Sequence, residues 1–149
     1  MNELEEPLAR LARNRLGGLG VADVARLSAG ATQESWRFSL IEEGGRTPLI
    51  LRRAPGGDRV SETAVGLEVE ASLIEAAGAV GVPVPPVRCV LEPDDGLGRG
   101  FIMGFVEGET LGGRIARGDF TAPARPFLAR QCGEVLARIH TIAPDLFPL

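Results

Sequence analysis

One stretch of the chain, residues 27–53, combines residue types and spacing suited to holding phosphate. It contains a short turn, Ser28-Ala29-Gly30-Ala31-Thr32-Gln33, followed by an alternating strand. Small and hydroxyl-bearing side chains in such a turn let backbone N–H groups approach phosphate oxygens closely. Ordinary hairpins use similar glycine-containing turns, so a plain hairpin is the alternative interpretation of this stretch.

Two arginines, Arg52 and Arg53, end the last strand of this stretch. Strand alternation places Arg52 beside Ile50 on one face and Arg53 on the other, so only one of them can serve an inward site. All 16 basic residues of the chain are arginine, which excludes a Walker P-loop and Schiff-base catalysis because both need lysine. The alternative is that both arginines reach solvent at the strand end.

Glu70 occupies an unexpected position on a predicted helix. At about 100° per residue it falls within an apolar arc, formed by Leu67, Leu73, Ile74 and Ala77. A carboxylate there needs a cation, since an unpaired buried charge is costly. Arg52 is the best candidate partner; the alternative is that the helix rotates and Glu70 reaches solvent.

The elements that must position these residues follow from periodicity and turn signals. Helices are predicted near residues 4–16, 61–79, 111–116 and 126–142. Strands are predicted at 21–28, 33–42, 47–53, 87–91 and 99–106, with Gly44-Gly45 as a tight hairpin turn. This order of strands, one helix, two strands and then helices predicts an α+β fold with an antiparallel sheet.

Composition narrows the function further. The net charge of −4 and the pI near 5.1 argue against a nucleic-acid partner, which would require clustered cations. The acidic first residues and the lack of a long apolar run predict a cytoplasmic protein with no membrane partner. Cys89 and Cys132 are expected to be reduced and packed as small hydrophobic residues, and the only histidine, His140, is expected to be structural.

Taken in order, these residues resemble the N-terminal lobe of the aminoglycoside phosphotransferase and choline kinase-like family, in the branch related to kinase-like domains fused to acyl-CoA dehydrogenases. The resemblance covers roughly residues 20–145. The matching stretches are residues 27–36, 49–56, Glu70 with 81–85, 97–103, 108–111 and 136–140.

The resemblance implies a site for ATP. Residues 28–33 would cover its phosphates, Arg52 would occupy the place where many kinases have lysine, and Glu70 would be its partner. Ile50 would line the adenine pocket. The hinge would be Met103, Gly104, Phe105 and Val106, with backbone of Gly104 and Val106 contacting the base.

The resemblance also implies a division into an N-terminal helix (1–19), a nucleotide-binding lobe (20–106), and a hinge with the first helices of a second lobe (107–149). The family's catalytic His-Gly-Asp loop, with Asn five residues after the Asp, and its later metal-binding Asp have no counterpart here. We therefore expect no catalytic residue and no metal ligand in this chain, with Mg²⁺ and the small-molecule acceptor held by a missing lobe.

Two other functions remain open at this point. The chain could be a non-catalytic nucleotide-binding or interaction module that keeps the kinase-lobe fold. Its last helices, lacking a second lobe to cover them, could also pair two copies of the chain through their apolar stripe, which includes Leu128, Val135, Leu136 and Ile139.

Overall fold

The computed structural model describes residues 3–27, 33–54 and 66–143. Its centre is one antiparallel sheet with the strand order β1-β2-β3-β5-β4. The strands are β1 (Gly20–Leu27), β2 (Glu34–Glu42), β3 (Gly45–Arg53), β4 (Val87–Val90) and β5 (Gly100–Gly104). The α+β class and the five antiparallel strands are as predicted.

The first hairpin of the sheet fixes the faces of its central strands. Glu42 pairs with Gly45, and the register continues through Arg37–Ile50 to Glu34–Arg53. Gly45 has φ +147°, a conformation that favours glycine. Because side chains alternate, Leu49, Leu51 and Arg53 share one face of β3 and Ile50 and Arg52 share the other.

Helix α1 (Glu5–Arg15) covers the first of these faces. The leucines that predicted this helix, Leu4, Leu8, Leu11 and Leu16, are all buried. They pack with sheet residues Phe38, Leu40, Leu49, Leu51 and Ile102 in one hydrophobic cluster. Arg15 donates to Asp95 Oδ2 at 2.6 Å, which ties the end of α1 to the turn between β4 and β5.

Helix α2 (Leu67–Ala79) packs on part of the opposite face, against β4 and β5. Leu67 and Ala71 are buried with Phe101, and Ile74 packs against them. The predicted start at Ser61 is wrong: Gly66, with φ −58° and ψ 147°, is outside the helix, so the helix begins at Leu67. Leu73, predicted to be part of the inward arc, is 40% exposed, because the packed stripe runs through Ala71 instead.

Two further helices follow the sheet, α3 (Gly112–Arg117) and α4 (Arg125–Ile139). Neither has a buried residue. Cys132 on α4 is exposed, so its predicted packing is wrong, whereas Cys89 on β4 is half-buried. In the part of the chain that the structure describes, no helix combines the length and apolarity needed to cross a membrane.

Candidate functional site

An apolar cleft of about 500 Å³ opens at the end of the sheet face that carries Ile50. Four strands and two loops contribute its walls: Leu27, Ser35, Ile50, Pro83, Val84, Pro85, Met103, Gly104, Phe105, Val106 and Thr110. This volume is within the usual range for small-molecule sites, about 300–1,000 Å³. Ile50 and the four predicted hinge residues all lie in this one cleft.

The predicted hinge residues at the end of β5 are held by backbone hydrogen bonds to two prolines. The Gly104 N–H donates to the Pro86 carbonyl at 2.9 Å, and the Phe105 N–H donates to the Pro48 carbonyl at 3.1 Å. The predicted contact between Gly104 and a base is therefore restricted to its carbonyl, because its N–H is already occupied. The prediction for Val106 is unaffected by these bonds.

Arg52 and Glu70 form the ion pair that the helix pattern predicted. The Arg52 Nε atom lies 2.8 Å from Glu70 Oε1, and the two side chains are 32% and 31% exposed. The buried Nε has no aligned hydrogen-bond acceptor, so the contact is a close ionic one. Arg52 lies two residues beyond Ile50 on the same face of β3, which places the cation beside the apolar cleft.

Comparison with known proteins identifies the family to which this chain belongs. A model of the phosphotransferase enzyme family (APH) matches residues 23–149. The chain belongs to this family. A search of curated proteins and a search of solved structures give no match.

In this phosphotransferase-family chain, Arg53 is a second arginine of β3 for which the sequence left two interpretations. The alternative that both arginines reach solvent is wrong for Arg53, which is 8% exposed and whose Nε lies 3.0 Å from Glu34 Oε2. It also donates to the Leu97 carbonyl at 3.3 Å. Arg53 is thus a structural residue on the face opposite the cleft.

Glu34 is the acceptor for three groups on that opposite face. Besides Arg53, it accepts from Trp36 Nε1 at 3.2 Å and pairs with Arg26 at 3.4 Å. Partial burial raises the pKa of Glu34, but the hydrogen bonds from Arg53 and Trp36 and the arginine charges lower it by more, so the net pKa is lowered. The sequence signal for this role was a charged residue at an inward position of β2.

A second arginine–glutamate pair joins α2 to the sheet outside the cleft. Arg99 donates from Nε to Glu68 Oε1 and from Nη2 to Glu68 Oε2, both at 2.9 Å. The hydrogen bonds from Arg99 lower the pKa of Glu68. This bidentate pair is about 40% exposed on each side, and it offers a control for the Arg52–Glu70 pair on the same helix.

Arg37 is a residue of the hinge surroundings that sequence reasoning missed. Its guanidinium carbon lies 4.4 Å from the centroid of the Phe105 ring, in cation–π contact. Arg37 pairs with Ile50 across the β2–β3 ladder, and that register was the signal that could have placed it near the cleft. The contact holds the ring of a hinge residue against the sheet.

The structure describes only one residue of the predicted phosphate turn, Gln33. Ser28, Ala29, Gly30, Ala31 and Thr32 lie outside the described residues. Gln33 is half-buried, and its buried Oε1 has no hydrogen-bond partner within the described ranges. In those ranges there is also no group of three or more His, Cys, Asp or Glu side chains that could hold a metal ion, so the described residues do not fit a Mg²⁺ site.

Proposed function

We propose that this chain is the nucleotide-binding part of an ATP-dependent small-molecule phosphotransferase. The observation that carries the proposal is the Arg52–Glu70 ion pair on the same sheet face as the apolar hinge cleft. The family membership supplies the reaction class, transfer of a phosphoryl group. The acceptor would be a hydroxyl of a small molecule bound by another part of the enzyme.

In this proposal the cleft binds the base of the nucleotide, and Arg52 of the ion pair binds its phosphates. A flat base fits a site walled by Ile50 and the hinge, where apolar side chains stabilise its faces. The phosphates would extend toward Arg52. One close contact to Glu70 orients the guanidinium, which carries five N–H donors, so several remain for phosphate oxygens. Residues 28–33 would cover those oxygens with backbone N–H groups.

Catalysis needs groups that this sequence does not contain. Its single histidine, His140, is followed by Thr141-Ile142, so the family's His-Gly-Asp loop is absent from these residues. We propose that the base acting on the acceptor, the ligands for Mg²⁺ and the acceptor site lie in a second lobe, of which residues 107–149 are the first part. The chain by itself would bind ATP without transferring phosphate.

The test compares two glutamates of the same helix. Arg52→Gln and Glu70→Gln should each weaken ATP binding about ten-fold, because a charge-assisted contact contributes about 1.5–3 kcal/mol. Glu68→Gln, which loses the Arg99 pair outside the cleft, should change it less than about two-fold. Calorimetric titration of each variant with ATP measures these affinities. Unchanged affinity in both Arg52→Gln and Glu70→Gln would contradict the proposal.

A non-catalytic nucleotide-binding module is the second candidate, favoured by the absence of the catalytic loop from these residues. Reading the coding frame past Leu149 distinguishes the two functions. A following His-Gly-Asp segment supports the enzyme, whereas an immediate stop supports the module.

We also propose a cytoplasmic location, consistent with two unpaired cysteines.

A further inference from the structure

A residue of α4 holds the C-terminal end of α2. Arg138 Nη1 donates to the Gly81 carbonyl at 2.6 Å. Gly81 has φ +80°, and the Val82 N–H donates to the Ala77 carbonyl at 3.0 Å, which is how a glycine ends a helix in the Schellman motif. A cation is favoured at this end of a helix, and α2 has no basic residue in its own last turn. Arg138 therefore supplies from another helix the charge that α2 lacks.

Packing secures α2 mainly at its other end. Its buried residues, Leu67 and Ala71, both lie in the first half of the helix. Glu70 lies between them and forms the ion pair with Arg52. Because a helix rises about 1.5 Å per residue, Gly81 lies about 16 Å further along the chain than Glu70. A tie at Gly81 therefore limits how far the helix, and Glu70 with it, can pivot about its packed start.

We propose that Arg138 is a positioning residue for the nucleotide site. By holding the end of α2 it fixes the place of Glu70, and Glu70 in turn orients the Arg52 guanidinium toward the phosphates of the nucleotide. The inference rests on the proposed function, since it requires Arg52 to bind those phosphates. It gives α4, which belongs to the proposed second lobe, a role in a site that the sheet and α2 build.

The other two arginines of α4 have partners elsewhere. Arg130 lies 3.7 Å from Glu134 of its own helix, and Arg125 donates to the Ala116 carbonyl at the end of α3. No residue of α4 is buried, so apolar packing of α4 does not replace the Arg138 contact when that contact is removed. Arg130→Met removes a cation from the same helix without removing a contact to α2, which makes it the matched control.

The first experiment measures ATP affinity by calorimetric titration. Arg138→Met should weaken ATP binding about three-fold, because part of the orienting effect of Glu70 is lost. Arg130→Met should change the affinity less than about 1.5-fold. Arg138→Lys keeps a cation that can donate to the Gly81 carbonyl, so it should restore most of the affinity. Far-UV circular dichroism checks that each variant folds.

The second experiment tests whether the effect passes through Glu70. In a chain that already carries Glu70→Gln, adding Arg138→Met should weaken ATP binding by less than about 1.5-fold, because no ion pair is left to position. A general loss of structure would instead weaken binding by about three-fold in both backgrounds. The double-mutant cycle therefore separates a positioning residue from a stabilising one.

Amide hydrogen exchange gives a readout on the unmodified chain that does not depend on the folding of any variant. Coupling between two sites is reciprocal, so ATP binding should slow exchange in the last turn of α2 and at the Val82 N–H by at least about two-fold.

The outcomes separate this inference from the function on which it rests. Unchanged ATP affinity in folded Arg138→Met overturns the inference and leaves the proposed function standing. The inference is also overturned by an equal loss in Arg130→Met or Arg138→Lys, by a full loss in the Glu70→Gln background, or by unchanged exchange in α2 when ATP binds. If the unmodified chain does not bind ATP, the proposed function itself fails and the inference fails with it.

Discussion

The sheet with α1 and α2 differs sharply from the segment after the hinge in how its side chains are covered. Leu8, Phe38, Leu51 and Ile102 are at most 1% exposed. In α3 and α4 no residue is buried, and a hydrogen bond from Arg138 Nη1 to the Gly81 carbonyl, 2.6 Å long, ties α4 to the turn after α2.

This difference shows where stability is generated. Helix α1 covers one face of the sheet and α2 packs on part of the other, so apolar side chains of the sheet leave water, and such burial is the main favourable contribution to folding. Helix α4 has 15 residues, a length at which an isolated helix is marginal in water. Its exposed residues, among them Phe127 at 53% and Leu136 at 52%, contribute little until another surface covers them.

The largest expected effect tests this comparison with one substitution in each region. Phe38→Ala should lower the free energy of unfolding by about 3–5 kcal/mol, because it leaves a cavity between the sheet and α1. Phe127→Ala should change it by less than about 0.5 kcal/mol. Urea unfolding of both variants measures the difference, and similar losses would mean that α4 shares the core.

A smaller effect is expected from ion pairs. Arg53→Met should cost about 3 kcal/mol of unfolding free energy, since it leaves Glu34 largely buried without its main cation. Arg130→Met on α4, which removes an exposed pair with Glu134, should cost less than about 0.5 kcal/mol. The same urea measurement applies, and a neutral Arg53 variant would contradict the assignment of Arg53 as a structural residue.

Acid should weaken the sheet region in a predictable window. The pKa values of Glu34 and Glu68 are both lowered, so their pairs stabilise the fold above the ordinary carboxyl pKa of about 4.3 and lose that contribution as pH falls through the folded values. Glu68→Gln should reduce stability at pH 7 by less than about 1 kcal/mol.

The loss from Glu68→Gln should shrink as pH falls through the lowered pKa of Glu68 and should disappear once that carboxyl is protonated, because both chains then carry an uncharged group at position 68. Urea unfolding of unmodified and variant chains at several pH values measures this. Glu75→Gln, an exposed change on the same helix, should give no such pH-dependent difference; a loss from Glu68→Gln that persists in acid would contradict the assigned ion pair.

The smallest structural effect concerns association. We propose that the uncovered stripe of α4 pairs two copies of the isolated chain, so Ile139→Glu should shift it toward monomer without changing its helix content. Ala137→Glu, an exposed change about half a helical turn away, should leave association unchanged. Sedimentation velocity measures both, and a monomeric unmodified chain would end this proposal.

The sequence predicted local structure well and pairings across the sheet only in part. Strand alternation and the leucine spacing of α1 placed those elements, and the odd position of Glu70 on its helix predicted its partner correctly. The helix start at Ser61 was wrong because the Ser cap signal did not account for the extended conformation of Gly66.

Predicting other features of the site would have required the register between strands, which cannot be read from composition or periodicity. The Arg53–Glu34 pair forms because those residues face each other across β2 and β3. The hydrogen bond from Gly104 to the Pro86 carbonyl likewise depends on which residue of β5 faces Pro86. Register is set by the whole hydrophobic pattern and the turns together, so neither feature was visible in a single segment.

The clamp between α1 and the β4–β5 turn also bears on how the chain folds during synthesis. Arg15 and Asp95 are 80 positions apart, and the cluster that covers α1 includes Ile102. On the ribosome, at about 5–20 residues per second, Asp95 and Ile102 follow α1 by on the order of several seconds. During that interval the part of the leucine face that β5 covers stays open to water and to chaperones.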